Sequence, residues 1–443
     1  MQRNVLLIAD STSNIRPGLA IAERFSSAGF QLVASLLPGK ALPSARQLIE
    51  TGLDCPVSVR SLEDLFEGGW PLRFDVVVVF LPGSKLYELL LRMREAIALE
   101  RASRRPLLVT GYNGVVYEKH LEGLLWRVGY DLIGVNSAHD EALFGERMRA
   151  LGVDETPLTR AGILLAQAPD ISPPSVSRSC TDDLLFATQA IVPRSKPERI
   201  YLLRRLAELA EAFPERQVFV KPRTRPSERT FHVEKHHYEQ LAEAALGTDR
   251  PRNLLFAYGS LSSLLDRVGM LLTVSSTAAL EAVSRGVPSV VLTDLGISES
   301  LGNHFFVGSG MLASFDELIA GRWPEADAGW LARHGFGSAD RIEAVVERAV
   351  ALLEEQRASG HMLPLRSPFY DPRRSRFIYQ EKLPTSVSLP AEVRVGDAKP
   401  ARPAIGSSSP TATHSLARKL RKLRRSPGEF FKDALLNALS TES

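Results

Sequence analysis

Ser275, Ser276 and Thr277, followed by a single carboxylate at Glu281, form the densest chemical pattern in this chain. A strand that ends in hydroxyl residues and feeds a helix brings free backbone N–H groups, hydroxyls and the positive helix end to one spot. That spot suits a phosphate or pyrophosphate. Glu281, about one helical turn further on, can accept hydrogen bonds from a ribose. A capped helix in an α/β core with no ligand accounts for the same residues equally well.

Three further groups extend the pattern. Lys221 and Arg223 lie in a basic loop stiffened by Pro222 and Pro226. Two cations facing the serine turn make a phosphate clamp, although solvated Lys and Arg are the commoner outcome. The loop 298–310 is rich in Gly and Ser and offers His304, as a phosphate ligand or an acid, or as an ordinary loop histidine. In the first half of the chain, turns after apolar runs carry Asp10, Ser11, Ser13, Asn14, Asn113, Glu118, Asn136 and Asp140. A base that deprotonates a hydroxyl must be a carboxylate or histidine near the cleft. Asp10 is the first choice because it ends the first strand, with Glu118 and Asp140 as alternatives. Asp10 as a helix cap or turn residue is the competing reading. His232, His236 and His237 have no HExxH-type companion, so they read as a polar helix start and no metal site is expected.

The elements that hold these residues alternate. Val76–Leu81 and Leu271–Val274 are near-continuous apolar runs, as expected of strands buried on both faces. Helical patterns separate them, the clearest over 196–213 and 340–356. The pattern predicts two doubly wound α/β domains with parallel sheets. The first spans 1–165 and supplies the Asp10, Asn113 and Asp140 turns. A Pro/Ser-rich connection covers 166–183. The second domain, 184–362, contains the basic loop and the serine turn. Residues 363–414 read as an extended or disordered linker, because they carry few large apolar side chains. The end of the chain, 415–443, places Arg418, Lys419, Arg421, Lys422, Arg424 and Arg425 beside Leu416, Leu420 and Leu423 at helical spacing. A basic amphipathic helix of this kind suits an anionic membrane surface.

Composition narrows the choices. The chain has 443 residues, 44% hydrophobic and 24% charged, with a net charge of +3. So small a net charge argues against nucleic acid as a partner of the whole chain. Its two cysteines, Cys55 and Cys180, form no CxxC and fit a reducing cytosol. No apolar run is long enough to span a membrane. The expected location is therefore cytoplasmic, peripheral at the inner face of the cell membrane.

The motif SSTAALEAVSRGVPSVVL at 275–292 resembles the donor-site helix of GT-B glycosyltransferases. The chain is similar to sialyl- and Kdo-type transferases of bacterial capsule and lipopolysaccharide synthesis, and to an uncharacterised family of glycosyltransferases. The resemblance implies two Rossmann-like domains facing a cleft. It gives Ser275, Ser276 and Thr277 to the donor phosphate and Glu281 to the ribose or base. It also implies a nucleotide-sugar donor, with CMP favoured, a glycan or lipid-linked acceptor, and no cofactor. Those relatives often carry His-Pro where this chain has Lys221-Pro222. They carry an acidic base motif where this chain has Tyr112-Asn113-Gly114, which lacks a carboxylate. The tail KLRKLRRSPGEFFKDALL resembles a C-terminal segment of capsule and lipopolysaccharide enzymes. Metal-independent glycosyl transfer is the leading expectation. A nucleotide-sugar epimerase, a polyol-phosphate transferase, and a non-catalytic glycan-binding scaffold are the alternatives.

Overall fold

A computed structural model describes residues 2–39, 42–112, 122–164, 182–223, 225–226, 234–336, 341–366, 370–371 and 376–377. Asn113, Glu118, His232, nearly all of the 166–183 connection and the whole of the 415–443 tail lie outside the described residues. The chain divides into two compact units, Met1–Pro368 and Phe369–Ser443. In the second, Tyr370–Asp371 pairs antiparallel with Arg376–Phe377.

Among the described residues, the first unit contains two parallel sheets. The first sheet has seven strands: β1 (Arg3–Ala9), β2 (Phe30–Leu36), β3 (Val57–Val59), β4 (Val76–Phe80), β5 (Leu107–Gly111), β6 (Leu132–Val135) and β7 (Leu158–Arg160), in the order 3-2-1-4-5-6-7. The second has six: β8 (Leu184–Ala187), β9 (Val218–Lys221), β10 (Leu254–Phe256), β11 (Met270–Thr273), β12 (Ser289–Leu292) and β13 (Leu312–Ala313), in the order 10-9-8-11-12-13. Each order reverses once, between β1 and β4 and between β8 and β11. Open α/β sheets take their ligands at such reversals, beyond the carboxyl ends of the strands.

The local causes are plain. All five residues of β4, VVVVF, are buried, so the strand is covered by helices on both faces. The helix Thr12–Ser27 sits close on the sheet because Gly18 has no side chain; a Cβ there would lie 2.7 Å from Leu7 Cδ1. The helix Lys196–Ala212 starts with a capping box formed by Ser195 and Glu198.

One element corrects the sequence reading. The amphipathic pattern over 340–356 predicts a helix within the second domain, 184–362, and the structure forms it as Ile342–Ser359. Yet Ile342, Val345, Val346, Ala349 and Leu353 are buried in the core of the first sheet, with Leu19, Ile21 and Phe25. Arg348 fastens it there through Leu158 O and Thr159 Oγ1, both at 2.9 Å. The apolar stripe of the helix is real. Its spacing says that a face must be covered, not which sheet covers it. The chain beyond stays with the first sheet: Arg105, paired to Asp131 in a buried bidentate contact at 2.7 Å, also donates to Leu363 O and Pro364 O.

Candidate cleft between the two sheets

The serine turn lies at the reversal of the second sheet. The Gln189 side chain, just after β8, grips Ser275 after β11: its Oε1 accepts from Ser275 N at 3.1 Å, and its Nε2 donates to Ser275 Oγ at 3.2 Å. Ser275 Oγ also donates to Leu301 O. Ser275, buried, therefore ties the loop 294–310 to the sheet, and its hydroxyl is occupied within the protein. Ser276 Oγ accepts from Ala278 N at 3.2 Å, while Thr277 is the N-cap of Ala278–Ser284 without a side-chain capping bond. Ser276 and Thr277 are half-buried. The helix has only seven residues. Its end charge is correspondingly small, so any strong attraction for an anion has to come from side chains.

Those side chains converge from both sheets. Lys221 ends β9 and is half-buried. Loss of hydration lowers its pKa to about 8; Glu50 and Glu281 oppose the shift, and Arg16 and Arg223 add to it. Arg16, in the helix after β1, makes a bidentate ion pair with Glu281: Nη2 to Oε1 at 2.7 Å and Nη1 to Oε2 at 3.2 Å. Arg223 donates from Nη2 to Ser13 Oγ at 2.9 Å. Ser13 of the first domain and Lys221, Arg223 and Glu281 of the second, all named from sequence, thus form one cluster. Arg16 and Gln189 were missed. Nothing in their spacing sets them apart; a cation just inside the first helix was the only available signal.

The other expected residues fall around this cluster or away from it. Asp10 follows β1, is buried, and accepts from Asn14 Nδ2 at 2.8 Å. Ser11, also buried, is the N-cap of Thr12–Ser27, without a side-chain capping bond. Asp140 is buried near the start of the helix Ala138–Ala150. Its Oδ2 accepts from Asn136 Nδ2 at 2.7 Å, and its N–H donates to Ser137 Oγ at 3.1 Å. Burial raises its pKa, against the hydrogen bonds of Asn136 and Ser137 and the field of His139. His304 lies half-buried in the short turn Asn303–Phe306. His237 caps Tyr238–Leu246, accepting from Glu239 N at 3.3 Å, and His236 O accepts from Arg199 at 2.6 Å.

Arg199 braces the wall that holds these loops. It is fully buried, donates to Gln189 O at 3.1 Å and Ala190 O at 2.7 Å, and is paired with Glu234. It therefore fixes both the segment that carries Gln189 and the residues Glu234 and His236 ahead of the helix Tyr238–Leu246.

A second contact between the two sheets' domains lies beside β6. His334 stacks on Trp330 with ring centres 3.9 Å apart, and its Nδ1 lies 2.8 Å from Trp330 O. Its ring centre is 5.4 Å from that of His139. Gly335 comes so close to the first domain that a Cβ would lie 2.4 Å from Asn136 O.

Two parallel sheets whose carboxyl edges meet over a basic cluster define the class: a GT-B-like α/β protein with two Rossmann-like domains. The model of the family described as "Putative glycosyltransferase (DUF6716)" matches residues 5–352, and the chain belongs to that family. Comparison with curated proteins finds no match. Among solved structures, MnaA of S. aureus in its co-structure with UDP is 13% identical with a TM-score of 0.53, over 80% of this chain and 97% of that one. UDP-N-acetylglucosamine 2-epimerase from Rickettsia bellii is 12% identical with a TM-score of 0.48, over 81% of this chain and 99% of that one. Arabidopsis thaliana UGT89C1 complexed with UDP is 12% identical with a TM-score of 0.44, over 81% and 99%. At these identities the likeness to MnaA speaks for the fold alone.

Proposed function

We propose that this chain moves a sugar from a nucleotide-sugar donor to a glycan acceptor in the cleft between its two sheets. The observation that carries the reading is the gathering of Arg16, Lys221 and Arg223 where the two carboxyl edges meet, with Glu281 paired to Arg16 and both Glu50 and Glu281 acting on Lys221. As the anomeric C–O bond breaks, the leaving phosphate takes the electron pair. Lys221 and Arg223, with Ser276 and Thr277 beside them, neutralise that charge, so that no metal is required. Glu281 accepts from the ribose. Asp10, at the end of β1, takes the proton of the acceptor hydroxyl as its oxygen attacks the anomeric carbon. Asp140 is the alternative base. Its hydrogen bonds at a helix start favour a structural role.

The resemblance of the serine motif favours a CMP-activated donor. A cluster of Arg16, Lys221 and Arg223 suits a diphosphate as well, which makes UDP and GDP the first comparators. The acceptor class, a bacterial surface glycan, rests on the same resemblance. The cations Arg418–Arg425 would bring the chain to an anionic membrane. Deleting 415–443 should then abolish binding to anionic vesicles and leave nucleotide binding intact.

The test is a thermal-shift screen with CMP, CDP, UDP and GDP. A ligand that binds only the folded state raises the melting temperature, more so the tighter it binds. Lys221→Ala and Ser276→Ala should each lose the shift and sugar transfer. Unaltered surface glycan in cells that carry both substitutions would overturn catalysis and leave a scaffold role.

A further inference from the structure

Glu281 and Arg16 are separated by 265 positions and belong to different domains, yet they form a bidentate contact across the cleft, its shorter bond 2.7 Å. The Glu281 side chain is only 4% exposed and that of Arg16 26% exposed. A carboxylate this deep has lost most of its hydration. Arg16 touches both of its oxygens, one through each terminal nitrogen, so the plane of the carboxylate is held as well as its charge. Each carboxylate oxygen can accept about two hydrogen bonds. With one taken by Arg16, each retains one for another donor, and the pair can meet two neighbouring hydroxyls. Lys221 stands near enough for Glu281 and Arg16 both to act on its charge, yet it makes no ion pair with Glu281.

We propose that Arg16 is a positioning residue for ribose recognition. Resting on the reading of Glu281 as the ribose acceptor, the first domain supplies the group that holds that carboxylate in place and aims it. Discrimination for a ribose then exists only while the two domains are together, whereas the phosphate contacts of Lys221 belong to the second domain alone. Donor recognition is divided accordingly: the phosphate is read by one domain, and the sugar of the nucleotide by a carboxylate that needs both.

The experiment compares ribo- and 2′-deoxynucleotides. The probe is whichever of CMP, CDP, UDP and GDP gives the largest thermal shift, together with its 2′-deoxy form, titrated calorimetrically into full-length protein. The wild type should prefer the ribonucleotide by roughly tenfold, the scale of a hydrogen bond to a charged group. Arg16→Met should bring that preference below about twofold while retaining weak binding of both forms through the phosphate, and Glu281→Gln should do the same. Arg16→Lys keeps the charge and loses the fork. It should restore part of the preference, and it serves if Arg16→Met fails to fold. An unchanged preference in a folded Arg16 variant overturns the proposal and leaves the nucleotide site standing. So does tighter ribonucleotide binding by Arg16→Met, which would mean that Arg16 obstructs Glu281. Failure of every nucleotide to bind the wild type overturns the reading of the site itself, and this proposal with it.

Discussion

Arg223, on the basic loop after β9, donates a hydrogen bond to the Ser13 hydroxyl at the start of the first helix, 2.9 Å away. The bond joins the two walls of the cleft, from the basic loop of the second domain to the first turn of a helix of the first. The basic loop therefore reaches the opposite domain, where Arg16 pairs with Glu281.

Exposed polar contacts of this kind contribute little to folding, so the two partners should separate in function. Arg223→Ala should weaken nucleotide binding about tenfold, as expected for a charge-assisted contact, while Ser13→Ala should change it less than about threefold. Neither should shift stability by more than about 1 kcal/mol, as read by denaturant unfolding. Equal losses in both variants would mean that the hydroxyl, not the guanidinium, holds the ligand.

Lys221 gives the site a pH dependence of defined sign. With its pKa lowered to about 8, the amine is charged below that pH and neutral above it, so nucleotide affinity should fall as pH rises through about 8. Stability should move the other way. The unfolded chain holds its proton up to the ordinary value of 10.5, so between pH 8 and 10.5 it binds more protons than the folded chain, and this residue's contribution favours folding as pH rises. Lys221→Met should flatten both profiles, measured by calorimetry for affinity and by thermal melting for stability.

His334 predicts an acid-sensitive junction. Burial lowers its pKa; the Trp330 carbonyl opposes this, and His139 and Arg333 add to it. Trp330, Phe305 and His139 face the ring, and none of them carries a negative charge. The neutral ring is the form that fits. Its contribution to stability is present above the ordinary value of 6.5 and is lost as pH falls through the lower folded value. His334→Phe keeps the stacking and should remove this part of the loss on acidification. A melting curve unchanged in its pH dependence would rule the histidine out.

Gly335 should tolerate no side chain. Its φ is +86°, and an added Cβ would lie 2.4 Å from Asn136 O, a backbone atom of the other domain. Gly335→Ala should cost about 1–3 kcal/mol from backbone strain and displacement of the contact, read by chemical denaturation. A variant as stable as the wild type would show that the two domains part there without cost.

Asp131 is buried, bonded to Arg105 through both oxygens, and accepts from Leu108 N at 2.8 Å. Asp131→Ala leaves a buried guanidinium without its counter-charge and should destabilise the protein by about 3–5 kcal/mol. Arg105 also holds Leu363 O and Pro364 O, so protease cleavage beyond residue 360 should quicken in the same variant.

The amino-acid order by itself determined the local architecture. Runs such as VVVVF at β4 and MLLT at β11, short and bounded by turn residues, read as buried strands, and the longer apolar stripes between them read as helices. The strand, turn and short helix around Ser275–Ser284 were legible for that reason. So were the strand ends that carry Asp10 and Lys221. What only the tertiary structure decided is which surfaces meet. The stripe of Ile342–Ser359 reads the same whether it covers the second sheet or the first, and it covers the first. The Ser275 hydroxyl, apparently free in sequence, is held by Gln189 and Leu301 O. Arg16 finds Glu281 across 265 positions. Periodicity records how much of each residue is buried. The partner of a buried charge depends on how two domains close on each other, and that leaves no period in the sequence.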